Sequence, residues 1–106
     1  MVAENYFAFA DDNGKLKIFD RSNFSLLQEI TISSNIITSI SADENSSVLI
    51  TGALDQYVKI YRRNGGIFAE EETINMNFGV GFLKISSTRV LVAGYEGKIV
   101  ILERKN

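Results

Sequence analysis

The chain has 106 residues and a formal net charge of −2, and it contains neither histidine nor cysteine. These two absences exclude disulfides, thiolate metal sites and every mechanism that needs a histidine base. The 11 basic and 13 acidic residues leave no basic excess for phosphate, so we do not expect nucleic acid as the partner.

The first predicted elements are two strands joined by a tight turn. Tyr6–Ala10 and Lys15–Asp20 have strand character, and in the second of these, apolar residues alternate with lysines. The Asn13-Gly14 pair between them predicts a hairpin with a type I′ turn, because both residues tolerate a positive φ. A more polar strand at residues 25–31 follows.

Two further units continue the β pattern, and no helical periodicity competes with it. The second unit has four predicted strands, at residues 36–41, 48–51, 57–62 and 67–73. The third has three, at residues 78–85, 90–93 and 98–103. We therefore divide the chain into a partial unit (1–31), a full unit (32–74) and a second partial unit (75–106).

A short pattern recurs through the three units. The sequence KLKIFD at 15–20 returns as YVKIYR at 57–62 and as KIVILE at 98–103, at spacings of 42 and 41 residues. A repeat of about 40 to 45 residues built only of strands is typical of a propeller blade. The predicted fold class is all-β, with antiparallel four-stranded blades of a β-propeller that form an incomplete ring.

The repeats resemble those of the WD-repeat β-propeller family over the whole chain. The best copy is GALDQYVKIYR at 52–62, with a small pair before the turn, a turn acid and a third strand that ends in an aromatic–polar pair. The family's Trp-Asp pair is represented by Phe19-Asp20, Tyr61-Arg62 and Leu102-Glu103. Its Gly-His pair has no counterpart, so we expect Asp55 to close its turn without the family's full hydrogen-bond network.

The number of repeats predicts that the chain does not close a ring alone. Propellers close with about four or more blades, whereas this chain has material for two and a half to three. Terminal blades in an open stack expose an apolar face and unpaired strand edges. We expect either a piece of a propeller completed elsewhere, or two copies that form one six-bladed ring.

The resemblance also implies a binding surface. In WD-repeat proteins the turn between the second and third strands faces one side of the disc, and the residue before the turn acid often contacts partners. The equivalent positions here are Asp12, Leu54 and Tyr95, and with the turn acids Asp55 and Glu96 they form the predicted partner-binding set. The alternative for Leu54 and Tyr95 is that each covers a neighbouring part of its own chain.

Charge divides between the two ends of the predicted blades. The turns between second and third strands are acidic, and the opposite end carries the basic residues Arg21, Arg62, Arg63, Arg104 and Lys105, diluted there by Asp43 and Glu44. An acidic end would attract a basic partner. The alternative is that these turns carry charged residues only because they are exposed to solvent. Glu70, Glu71 and Glu72 have two readings as well, a basic-segment docking patch or a charged edge strand that resists aggregation.

These observations predict a non-enzymatic scaffold for protein–protein interaction within a larger intracellular assembly, cytoplasmic or nuclear. The predicted partners are protein chains: further propeller blades, a basic and apolar peptide, or a second copy. We expect no cofactor, no metal and no membrane, because no phosphate-binding glycine motif, complete calcium loop or long apolar segment occurs. The alternative is a piece of a catalytic or ligand-binding propeller completed by other chains or by self-association.

Overall fold

The residues that the structure describes form ten strands arranged in three antiparallel sheets. The computed structural model describes residue 1 and residues 5–43, 47–86 and 88–104. The strands are β1 (Tyr6–Ala10), β2 (Lys15–Asp20), β3 (Leu26–Thr31), β4 (Ile37–Ala42), β5 (Val48–Ala53), β6 (Tyr57–Asn64), β7 (Ile67–Asn75), β8 (Val80–Ile85), β9 (Arg89–Gly94) and β10 (Ile99–Glu103). Within the described residues, no helix has the length and apolar character needed to cross a membrane.

Each sheet is one blade with strands in sequential order. Blade 1 is β1-β2-β3, blade 2 is β4-β5-β6-β7 and blade 3 is β8-β9-β10. The predicted all-β fold is confirmed, and over the described part of the chain so is the strand count of three, four and three. The limits at 1–31, 32–74 and 75–106 stay a prediction, and β7 runs one residue beyond the second of these units.

Two apolar clusters hold the three blades together. One lies between blades 1 and 2 and includes Tyr6, Leu16 and Phe68, and the other lies between blades 2 and 3 and includes Val58 and Leu83. Blade 2 therefore packs on both faces, and every residue of β5 is buried. Burial of this kind removes apolar area from water at about 25 cal/mol per Å². It also raises the pKa of the Tyr6 phenol to about 12, so this core side chain stays neutral.

The outward faces of the two terminal blades are apolar and exposed, as expected for an open stack. On blade 1, Phe7 stacks on Phe24 at a ring-centroid distance of 5.6 Å, and Phe9 meets Phe19 edge-on at 6.0 Å. On blade 3, the exposed large apolar side chains are Phe82, Leu91, Ile99 and Ile101. The two faces differ in kind, because the first is aromatic and the second mainly aliphatic.

The three turns that correspond in the repeat share one conformation. Gly14, Gln56 and Gly97 have φ angles of 76°, 80° and 81°, and each donates its N–H to the carbonyl three residues earlier, at 3.3, 3.3 and 3.4 Å. This is a type I turn followed by one left-handed residue. The prediction of a type I′ turn at Asn13-Gly14 is wrong, because Gly14 has a positive φ and Asn13 does not.

Gly14 is required by a close approach of the backbone as well as by its φ angle. The Gly14 carbonyl accepts hydrogen bonds from the N–H groups of Ile32 and Ser33, at 2.9 and 3.2 Å, where the chain passes from blade 1 to blade 2. A Cβ on Gly14 would lie 1.9 Å from the Ser33 carbonyl oxygen. At the equivalent Gly97, by contrast, no described atom beyond its chain neighbours lies within 4 Å of such a Cβ.

The two glycines allow a matched test of this packing. Gly97→Ala should lower the free energy of unfolding by about 1 kcal/mol, the cost of a left-handed alanine. Gly14→Ala carries the same cost and must also displace the Ser33 backbone, so its loss should be about 3 kcal/mol or more. Urea unfolding of the two variants measures the difference, and equal losses would contradict the close approach.

Candidate protein-interaction surface

The three equivalent turns, residues 11–14, 53–56 and 94–97, lie along one end of the stacked blades, and together we call them the turn surface. The segments that connect the blades fix their spacing. The segment after blade 1 bonds to the first turn through Gly14, and the Leu54 N–H of the second turn donates to the Ile36 carbonyl at 3.2 Å. After blade 2, the Met76 N–H donates to the Gln56 carbonyl at 2.9 Å. The turn surface is therefore part of the rigid stack.

Asp55 is a structural link within this surface. Its Oδ1 accepts the Tyr57 N–H at 3.0 Å, as expected for a turn acid, and its Oδ2 accepts the Ser33 hydroxyl at 2.6 Å. The Ser33 Oγ in turn accepts the Asn35 N–H at 2.9 Å. Ser33 thus supplies a link between blades in a chain that has no histidine for this purpose. Sequence analysis missed Ser33, and its only signal was a hydroxyl in the segment before β4.

Leu54 and Tyr95 occupy equivalent turn positions but differ in exposure. Leu54 is 37% exposed, and its Cδ2 lies 3.6 Å from the position of a Cβ on Gly79, so it covers the segment between blades 2 and 3. Tyr95 is 68% exposed, although one side of its ring lies over Gly81 at 3.5 Å from the corresponding Cβ position. The covering role predicted as the alternative therefore describes Leu54 well, whereas Tyr95 leaves most of its ring in water.

The turn surface is acidic. Asp12 and Glu96 are exposed in the first and third turns. The Asp11 carboxylate accepts the N–H groups of Lys15 at 3.0 Å and Asn13 at 2.9 Å. These hydrogen bonds, that of Lys15 foremost, lower the pKa of Asp11 below its ordinary value, so the group stays ionised.

The opposite end is less basic than its charges predict. The Arg63 guanidinium lies 5.4 Å from the centre of the Tyr6 ring, between blades 1 and 2. Arg104 bonds to Asp43 at 3.3 Å, where the Asp43 side chain is only 5% exposed. Arg63 and Arg104 therefore form contacts between blades. Lys105 and Glu44 lie outside the described residues. Asp43 is the buried partner of Arg104, so it does not reduce the positive charge of an exposed surface.

The glutamates of β7 are partly used inside blade 2. Glu71 pairs with Arg62 at 3.1 Å, and Glu70 approaches Lys59 at 3.9 Å. These cross-strand pairs favour the reading of β7 as a charged outer strand. No group of three or more acidic side chains among the described residues is placed to hold a metal ion.

Comparison with known proteins identifies the fold. Neither a model of a known protein family nor a curated protein matches this sequence. Among solved structures, the β-propeller domain of Cps50 (Swd1) from Myceliophteria thermophila matches with a TM-score of 0.83 and 15% identity, over 93% of this chain and 32% of that one. The computationally designed Ika4 protein matches with a TM-score of 0.77 and 14% identity, over 97% of this chain and 62% of that one. The chain thus spans about a third of the Swd1 domain, and it folds as an incomplete β-propeller.

The Ser33–Asp55 link can be measured by a double-mutant cycle. Ser33→Ala and Asp55→Ala should show a coupling free energy of about 1 to 2 kcal/mol, because each removes the same charge-assisted hydrogen bond. Ser34→Ala, at the exposed neighbouring position, is the control and should change stability by less than about 0.5 kcal/mol. Additive losses in urea unfolding would show that the two side chains are not linked.

Proposed function

We propose that this chain is a WD-repeat-like propeller segment that acts as a non-enzymatic scaffold for protein–protein interaction within a larger assembly. One observation carries the proposal: three turns of the same backbone conformation lie at one end of a rigid stack and hold Asp12, Leu54 and Tyr95 at equivalent positions. Repeated loops on a rigid framework are a common way to present a binding surface.

The chemistry of the turn surface suits a basic and apolar peptide. Tyr95 offers an exposed aromatic ring, and tyrosine is enriched among the residues that dominate binding energy. Glu96 lies next to Tyr95 in the third turn, and Asp12 adds negative charge in the first turn; this charge attracts a basic partner and repels an acidic one. Asp55 contributes charge and holds the turns in place, and Leu54 adds a smaller apolar contact. The negative charge of the turn surface would repel a nucleic acid or an anionic membrane. The proposed location of the protein is intracellular.

The exposed faces of the terminal blades are the second reason to propose protein partners. The aromatic face of blade 1 and the aliphatic face of blade 3 have the composition of surfaces that pack on a further blade. The proposed occupants of these faces are other propeller blades, from a different chain or from a second copy of this one. The turn surface lies at the end of the blades, so it remains accessible when the faces are covered.

Selection from a peptide library tests the proposal. Peptides that bind the wild-type chain should be enriched in lysine or arginine together with apolar residues. Tyr95→Ser should weaken them by about tenfold or more, as expected for the loss of an aromatic anchor, without lowering the free energy of unfolding. Titration of labelled peptides measures the affinity, and chemical denaturation measures the stability.

Ile67→Ser is the matched control for this experiment. Ile67 is 61% exposed and lies at the opposite end of blade 2, after the turn at residues 64–66. The Ile67→Ser variant loses an exposed apolar side chain, as Tyr95→Ser does, and it should leave the peptide affinity unchanged. If Tyr95→Ser lowers stability as much as affinity, or if both variants bind equally, the turn surface is structural and the proposal fails.

A further inference from the structure

The chain contains two asparagine–glycine pairs, Asn13-Gly14 and Asn64-Gly65, and they lie in turns of different kinds. In such a pair the backbone nitrogen of the glycine can attack the side-chain amide of the asparagine, because a glycine has no Cβ to hinder the approach. Asparagine is accordingly among the thermolabile residues of proteins. The reaction needs the asparagine backbone to rotate, so the hydrogen bonds around each pair decide whether that pair can react.

The first pair is held firmly in the first turn of the turn surface. The Gly14 N–H, which carries the attacking nitrogen, donates to the Asp11 carbonyl at 3.3 Å, and the Asn13 N–H donates to the Asp11 carboxylate at 2.9 Å. Gly14 is buried, and its carbonyl accepts the Ile32 and Ser33 N–H groups at 2.9 and 3.2 Å. Rotation about Asn13 would break these bonds and displace the segment that joins blades 1 and 2. The first pair can therefore react only when this junction opens.

The second pair lies in the exposed hairpin turn between β6 and β7. Gly65 and Gly66 have φ angles of 62° and 86°, as in a type I′ turn, and Asn64 lies opposite Ile67. A Cβ on either glycine would have no described atom beyond its chain neighbours within 4 Å. Among the described residues, no backbone group accepts a hydrogen bond from the Gly65 N–H. The last rung of the β6–β7 ladder holds this pair, and the ends of hairpins open at little cost in free energy.

We propose that Asn64 is a site of spontaneous covalent modification, whereas the blade junction protects Asn13 from the same reaction. The Gly65 nitrogen forms a bond to the Asn64 Cγ, the bond from Cγ to the side-chain nitrogen breaks, and ammonia leaves with the proton of the Gly65 N–H. Water then opens the resulting five-membered imide. Addition at Cγ gives aspartate, and addition at the backbone carbonyl carbon gives isoaspartate, in which the chain continues through the side chain. Water is the sole co-reactant, and nothing is oxidised or reduced.

The two products differ in what they do to the hairpin. Aspartate adds one negative charge at an exposed position next to Arg63 in the sequence and leaves the backbone unchanged. Isoaspartate adds a carbon atom to the backbone, so residue 64 can no longer keep its register opposite Ile67. Only the second product therefore disturbs the pairing of β6 with β7.

The hairpin is coupled to the junction between blades 1 and 2 through Phe68, the residue after Ile67. The Phe68 side chain is only 3% exposed, and its ring centroid lies 5.4 Å from that of Tyr6. The Gln28 side chain donates to the Phe68 carbonyl and accepts its N–H, each at 2.8 Å. A shift in the register of β7 would disturb these contacts. Isoaspartate at position 64 should therefore lower the urea concentration at which the chain is half unfolded, whereas Asn64→Asp should leave it unchanged.

Ageing of the full chain in mildly alkaline buffer tests the proposal, with proteolytic digestion and mass spectrometry to follow each asparagine separately. In the folded protein, Asn64 should convert at least about tenfold faster than Asn13, because it needs only local opening. In guanidinium chloride, which unfolds the chain and screens its charges, the two rates should agree within about threefold. Urea below the unfolding transition should accelerate the conversion of Asn13 and leave that of Asn64 unchanged.

Asn64→Gln is the matched control, because it keeps a side-chain amide but would have to form a larger ring. It should suppress conversion at position 64 and leave the Asn13 rate unchanged. Equal rates at Asn13 and Asn64 in the folded chain would overturn the proposal. A difference of the same size in guanidinium chloride would also overturn it, since the sequence and not the fold would then be the cause. The isoaspartate form can be separated from the aged protein, and an unfolding midpoint equal to that of Asn64→Asp would contradict the coupling to Phe68.

Discussion

The structure depends on the burial of each sheet face against a neighbouring sheet. Among the sheets that the structure describes, only blade 2 is covered on both faces, and the six residues of its strand β5 are all buried. Polar contacts accompany this packing: the Leu83 and Ile85 N–H groups of blade 3 donate to the Ser39 and Ser41 hydroxyls of blade 2, at 3.0 and 3.1 Å. Such bonds fix the relative position of two sheets, which apolar contact alone does not.

The same junctions connect the fold to its surfaces. The segment that passes from blade 1 to blade 2 packs on Gly14 and links to Asp55 through Ser33, so the turns are held by the packing that stabilises the blades. At the other end, Phe68 seals the junction between blades 1 and 2. The position of the turn surface therefore depends on the same junctions that stabilise the blades.

Much of this fold could be predicted from the sequence, because spacing and alternation are local signals. The recurrence of the KLKIFD pattern predicted the blades. The observed strand limits differ from the predicted ones by about two residues at most. The turn type was wrong because Asn13-Gly14 also suits a type I turn with only Gly14 left-handed. Ser33 was missed, and Arg63 and Arg104 were wrongly expected to be exposed, because the partners of all three are distant in sequence.

The mass of the purified chain in solution, measured by light scattering after size-exclusion chromatography at several concentrations, tests the central claim most directly. That claim is that three blades leave two apolar faces which need to be covered. The account predicts association to masses above 11.8 kDa that increase with concentration. A folded chain that stays at the monomer mass at every concentration would contradict it, because both terminal faces would then be stable in water.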